Sequence, residues 1–272
     1  MGIPNTKYQL MLLSLVYASK CTLVVFGDSY SDIGNVDKLT NHQWPQPSLY
    51  YKGHFSNGPM YSEYLSLSLG CALKNFAFGG STTNNALVQG VSGASYNIKV
   101  PSLTEQQEQF TGKAFVTIIE GGVNDFFYNP DVDVGAVVDN ILKIAEIASS
   151  KSTKVIIISI LDVKLIPYCK EIGAMCDQLS TTIQAANKIL KKSGFSFFDM
   201  NARIFKMSVI PKYGFDVVST PCIDLNLVTP VKCRKYHLFY DKFHLSTEAH
   251  KIISVGLFRK ILNLFDPDGK DW

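Results

Sequence analysis

A recurring local pattern constrains this chain most: a short run of β-branched and aromatic residues stops at glycine, and a polar turn and a helical period follow. Thr22-Leu23-Val24-Val25-Phe26 runs into Gly27-Asp28-Ser29, residues 115–120 run into Gly121-Gly122-Val123-Asn124-Asp125, and residues 72–76 lead to the pair Gly79-Gly80. Short apolar runs bounded by turn residues predict buried strands. Strands alternating with helices predict an α/β fold with a parallel, doubly wound sheet. The remaining expected elements are helices over 59–69, 102–112, 134–149, 175–192 and 246–264, and strands over 155–160 and 195–198. Pro59 would open the first helix, and Ser102 with Glu105 has capping-box spacing. Residues 206–239 show no period and are expected to wrap the surface before Asp241.

Open α/β sheets place their chemistry at the carboxyl edge of the strands, which is where Ser29 falls. Gly-Asp-Ser alone serves equally well as a turn and cap, so the weight comes from partners. Tyr240-Asp241-Lys242-Phe243-His244 sets an acid three residues before a histidine, close enough for the carboxylate to hold the imidazole in the tautomer that accepts a serine proton. Asn124 brings a side-chain amide to a second strand end, and Gly79-Gly80 brings bare N–H groups to a third. Nucleophile, base, orienting acid and oxyanion donors are the parts that acyl transfer requires.

Four ordered blocks, FGDSYSD, NFAFGGSTT, GGVND and YDKFH, resemble the GDSL esterase/lipase family, also called SGNH hydrolases, over residues 22–265. The resemblance implies a sheet of about five parallel strands in the order 2-1-3-4-5, with Ser29 as nucleophile and Asp241 with His244 completing a triad. It also implies an oxyanion hole made by the N–H of Ser29, Gly80 and Asn124. Gly80 is preferred to Gly79 because the family glycine precedes a residue-Thr pair, as Gly80 precedes Ser81-Thr82. Tyr30 replaces the leucine of the family name, and Leu245 stands where a proline often follows the histidine. The string Gly53-His54-Phe55-Ser56-Asn57-Gly58-Pro59 is similar to the branch of plant GDSL lipases and fungal acetylesterases. The implied activity is hydrolysis of carboxylic esters of small-molecule, carbohydrate or lipid alcohols through an acyl-enzyme, with short acyl groups preferred and no cofactor. The same site suits a lipase, a phospholipase or an acyltransferase, and a silent hydrolase scaffold would be a binding protein.

With 272 residues, 46% of them hydrophobic, the chain suffices for one sizeable core. A net charge of +3 without basic clusters argues against nucleic acid; a monomer is expected. Residues 1–18 have the outline of a secretory leader: Lys7, then Leu10-Met11-Leu12-Leu13-Ser14-Leu15-Val16, then Val16-Tyr17-Ala18. Residues 19–272 would be the mature domain, exported and without a transmembrane segment. Six cysteines, Cys21, Cys71, Cys169, Cys176, Cys222 and Cys233, suit an oxidising compartment and allow 15 pairings. In the family the strands opened by Cys21 and Cys71 are neighbours, which implies that pair, with Cys169–Cys176 and Cys222–Cys233 closing short loops. No metal-binding spacing occurs.

His54, His237 and His250 are expected at the surface or behind the site, with His250 pointing away from it. Asp28 and Asp32 flank Ser29, with Asp28 as a cap; Asp125 would anchor its loop. Trp44, Tyr50, Tyr51 and Phe55 suit either an acyl or sugar pocket or plain packing.

Overall fold

A computed structural model of the protein describes residues 21–223 and 236–267; the expected leader over 1–18 and Cys233 lie outside them. Five parallel strands, β1 (Thr22–Phe26), β2 (Ala72–Asn75), β3 (Ala114–Ile119), β4 (Ser152–Ile158) and β5 (Ser196–Phe198), form one sheet in the order 2-1-3-4-5, as expected. The register sets Val25 opposite both Asn75 and Ile118, and Ile157 opposite Phe197. Leu23, Val24 and Val25 all have no exposed surface, so both faces of β1 are covered. That is why β1 reads as an apolar run without alternation.

Nine α-helices are found among the described residues: α1 (Asn35–Leu39), α2 (Tyr61–Leu69), α3 (Leu103–Gln109), α4 (Val123–Tyr128), α5 (Val134–Ser149), α6 (Cys169–Ile172), α7 (Ala174–Lys192), α8 (Met200–Val209) and α9 (Thr247–Phe265). α2 and α8 pack on α9, whereas α3 and α7 pack on α5. α3 carries the expected capping box, with Ser102 N–H donating to Glu105 at 2.6 Å. α2 starts at Tyr61 rather than Pro59, because the Glu63 carboxylate accepts from Met60 N–H at 2.7 Å and makes Met60 the N-cap. Three short helices, α1, α4 and α6, were not expected; none is long enough to show a period. α8 also lies partly inside the stretch expected to be irregular. Asp199 caps it by accepting from Ala202 N–H at 2.9 Å, and Met200, Ile204 and Met207 supply its buried stripe.

Cys21 and Cys71 immediately precede the paired strand starts Thr22 and Ala72, and they are bonded with their Cα atoms 4.7 Å apart. Cys169 and Cys176 are bonded across a separation of 7 residues. The expected Cys222–Cys233 pairing involves a residue outside the described ones. Cross-link entropy grows with the loop closed, so the two bonds should differ. Cys21→Ser/Cys71→Ser, which opens a separation of 50 residues, is expected to cost about 4 kcal/mol in the loop-entropy model, against about 2.5 kcal/mol for Cys169→Ser/Cys176→Ser. Denaturant unfolding of both double variants measures the difference, and equal losses would mean that native-state strain outweighs loop length.

Candidate active site

The turn after β1 leaves no room for a side chain at residue 27: a Cβ on Gly27 would stand 2.8 Å from Ser31 and 2.9 Å from the Glu120 carboxylate. The N–H groups of Ser31 and Asp32 both donate to Asp28 C=O at 3.0 Å, and the Asp28 carboxylate accepts from Tyr30 N–H at 3.0 Å. Asp28 therefore braces the corner, as its expected capping role requires, and Ser29 stands at its partly open tip.

The Ser29 hydroxyl lies 2.8 Å from His244 Nε2, and His244 Nδ1 lies 2.7 Å from Asp241 Oδ2. The three residues form one hydrogen-bonded chain, although Ser29 and His244 are 215 positions apart in sequence. Asp241 Oδ1 accepts from Phe243 N–H and His244 N–H, each at 2.7 Å, while Tyr50 O–H donates to Oδ2 at 2.6 Å. Burial alone would raise the Asp241 carboxyl, but His244, Tyr50 and the backbone donors outweigh it and hold it below its ordinary value. Tyr50 is itself pushed far up by burial and by Asp241, so it remains a donor.

The loop that carries the histidine is fastened from the N-terminal half of the chain. Ser56 Oγ donates to Leu245 C=O at 2.9 Å, Thr247 N–H donates to Asn57 Oδ1 at 2.9 Å, and Thr247 Oγ1 donates to Pro59 C=O at 2.8 Å. A Cβ on Gly58 would collide with Thr247 at 2.7 Å. The string from Gly53 to Pro59 is thus the dock for the His244 loop. Tyr30 adds a strut: its hydroxyl donates to Phe243 C=O, and its ring centroid stands 5.8 Å from that of His244. Phe55 packs on the imidazole from another side, at 5.1 Å. Tyr50 and Phe55 accordingly support the histidine and its acid, and Trp44 packs beside Phe55 in a small satellite core.

Three groups that can donate to an oxyanion gather at neighbouring strand ends. Among the described residues neither Ser29 N–H nor Gly80 N–H has an acceptor, whereas Gly79 N–H is taken by Asp32 at 2.9 Å. Gly80 has φ +88, and a Cβ there would lie 1.9 Å from Val91 C=O, so only glycine fits. The Asn124 amide spends one hydrogen on Ser81 C=O at 2.9 Å and approaches the Asp28 carboxylate at only 3.5 Å with the other.

Several further buried polar residues hold this arrangement. The Asp32 carboxylate accepts from the N–H groups of Gly34, Asn35, Val36 and Gly79; burial raises it to about 6 against those bonds. Glu120 accepts from Ser31 Oγ at 2.8 Å and lies 3.3 Å from Asp28 N–H. Gln106 bonds both backbone groups of Gly27. Asp125 anchors its loop as expected, taking Thr83 Oγ1–H at 2.6 Å and Thr83 N–H at 2.9 Å, and burial lifts it to about 7. His54 is buried rather than superficial and pairs with Glu63 at 3.0 Å. His250 lies behind the site rather than at the surface: it is buried in the core beside Tyr30 at 6.4 Å, stacks on Tyr61 at 6.2 Å, and is driven down to about 3 by burial. His237 has a buried Nδ1 with no hydrogen-bond partner among the described residues.

Comparison with known proteins places the chain in a family. The model of the GDSL-like lipase/acylhydrolase family matches residues 23–255. The thermolabile hemolysin of Vibrio parahaemolyticus is 24% identical over 89% of this chain and 64% of its own length. The secreted effector protein SseJ of Salmonella typhimurium is 32% identical over 54% of this chain and 36% of its own. The chain thus spans less than two thirds of either curated relative. The crystal structure of an acetylxylan esterase from Geobacillus stearothermophilus superposes with a TM-score of 0.52 at 15% identity, covering 88% of this chain and 93% of that one, and so shares the fold. With the family match running from β1 into α9 and taking in all four motif blocks, the chain belongs to the GDSL-like lipase/acylhydrolase family.

Proposed function

We propose that the protein is a secreted serine esterase that hydrolyses carboxylic esters with short acyl groups. The observation that carries this reading is the unbroken chain from Ser29 Oγ through His244 to Asp241, with links of 2.8 and 2.7 Å. Ser29 Oγ attacks the acyl carbon while its proton passes to His244 Nε2; Asp241 steadies the resulting imidazolium through Nδ1–H. The tetrahedral oxyanion takes hydrogen bonds from Ser29 N–H, Gly80 N–H and the second Asn124 amide hydrogen. Collapse expels the alcohol, which takes the proton from His244. Water, deprotonated by the same imidazole, then releases the acid and restores the serine.

Secretion is supported by the leader-like sequence over 1–18 and by two disulfides in the described residues, bonds that persist in oxidising compartments. Among the described residues no helix is long and apolar enough to cross a membrane. The preference for short acyl groups is supported by the walls of the site. Between Trp44 and Phe55 the chain makes turns, and after Gly80 it makes turns and a small hairpin of Val91–Ser92 with Ile98–Lys99, with no amphipathic helix long enough to serve as a lid in either.

A serine-directed organophosphonate is expected to label Ser29 stoichiometrically, and Ser29→Ala or His244→Ala to lower kcat by several orders of magnitude, with the double variant little worse than either. Absence of labelling in folded protein would make the chain a binding protein on a hydrolase scaffold. Asn124→Ala is expected to lower kcat by roughly 10²- to 10³-fold with little change in KM, since its donor acts on charge present only in the transition state. Across p-nitrophenyl esters of rising chain length, kcat/KM should be highest for acetyl and butyryl. A maximum at long acyl chains would move the reading to a lipase or phospholipase.

A further inference from the structure

Gln106 lies on α3, outside the four motif blocks, and has no exposed surface. Its side-chain amide bonds the backbone of Gly27 as a neighbouring strand would: Oε1 accepts from Gly27 N–H at 2.8 Å, and Nε2 donates to Gly27 C=O at 2.9 Å. The second Nε2 hydrogen goes to Ser81 Oγ, also at 2.9 Å, with Pro101 C=O further off at 3.4 Å. One planar group therefore touches the residue two before the nucleophile and the residue next to Gly80. Ser81 in turn presents its C=O to the Asn124 amide at 2.9 Å. The helix that bears Gln106 is docked on the same loop, because Leu103 N–H and Thr104 N–H donate to Thr82 and Thr83 C=O at 2.9 and 3.2 Å.

We propose that Gln106 is a positioning residue, which fixes the spacing between the nucleophile turn and the Gly80 and Asn124 donors so that all of them meet the same tetrahedral oxyanion. This rests on the esterase reading of the site. The amide touches no reacting atom; it acts through Gly27 and Ser81. An oxyanion donor is effective only when aimed where charge will develop, and a displacement of about 1 Å can cost 10²-fold in rate.

The test uses Gln106→Leu, which keeps approximate shape and removes all of these bonds. With p-nitrophenyl acetate, kcat should fall roughly ten- to hundredfold while KM stays within about threefold. Affinity for a phenylboronic acid, whose adduct with Ser29 places a charged oxygen in the oxyanion position, should fall by the same factor. Combining Gln106→Leu with Asn124→Ala should lower kcat little beyond Asn124→Ala alone, because both act on one set of donors. A folded Gln106→Leu variant with unchanged kcat, a kcat loss without loss of boronate affinity, or fully multiplicative effects in the double variant would each overturn the proposal. If Gln106→Leu does not fold by circular dichroism, Ser81→Ala is read in its place. It removes the acceptor of one amide hydrogen, together with the Ser81 bond to Pro101 C=O, and should show the same kcat-specific loss at about tenfold; no loss overturns the proposal. A parent protein that neither cleaves ester nor takes up boronate overturns both this proposal and the esterase reading, whereas an active parent matched by its variants overturns this proposal alone.

Discussion

The structure depends on how the carboxyl edge of its parallel sheet satisfies backbone groups that have left the strand ladder. A buried N–H without an acceptor costs as much as a lost hydrogen bond, and at this edge three chain segments turn away from their neighbours within a few residues. Asp32 answers most of that demand, with one carboxylate accepting from four N–H groups that belong to the entry of α1 and to the loop after β2. Asn35 does the complementary work, donating to the C=O groups of Asn75 and Ala77 at 3.2 and 2.8 Å, while Asn75 donates to Ser31 C=O at 2.7 Å. The nucleophile turn and the Gly79-Gly80 loop are therefore parts of one polar core. Its commitments also select which glycine is available: Asp32 occupies the N–H of Gly79 and leaves that of Gly80 open.

The histidine arrives from the other end of the chain and needs different fastening. An antiparallel bridge between Phe239 and Leu245 pinches residues 240–244 into a tight reversal, and Tyr240 N–H donates to His244 C=O at 2.7 Å. The Asp241 carboxylate then fills the inside of the loop, so that it shapes the backbone and orients the imidazole at once. Contacts from Tyr30, Tyr50, Phe55 and Ser56 close over the outside. All four come from the first sixty residues, so the N-terminal part of the chain seats His244.

Much of this was legible in the sequence because local chemistry set it. The strand order follows the family blocks, long helices announced themselves by period, and Ser102 with Glu105 is a cap that any neighbour would leave intact. Ser29, Asp241, His244 and Asn124 stood out because each sits at a turn in a characteristic string. What the sequence concealed depends on distant pairing. Gln106 looks like one of several polar residues on a polar helix, and only the fold places it against Gly27, 79 positions away. Glu120 ends an apolar run, and only the fold shows it buried against Ser31. His250 looked peripheral because helical phase depends on where α9 docks, and α9 lies on α2 with Tyr61 facing it.

The buried carboxyls raise an electrostatic difficulty that the arrangement itself resolves. Two full negative charges behind Ser29 would oppose formation of an oxyanion in front of it, and Asp28 and Glu120 are both fully desolvated. Burial, and then the proximity of Asp28, drives Glu120 well above the ordinary carboxylate range, while Asp28 rises only to about 6 because backbone N–H donation and His244 favour its charged form. Two like carboxyls at close range settle by sharing their protons unequally. Burial and mutual repulsion therefore both work against two full charges at this corner. The Asn124 amide stands between the Asp28 carboxylate and the Ser81 carbonyl, at 3.5 and 2.9 Å. The upward shift of both groups lets two carboxyls brace the turn at Ser29 with less negative charge than two ordinary carboxylates would bring.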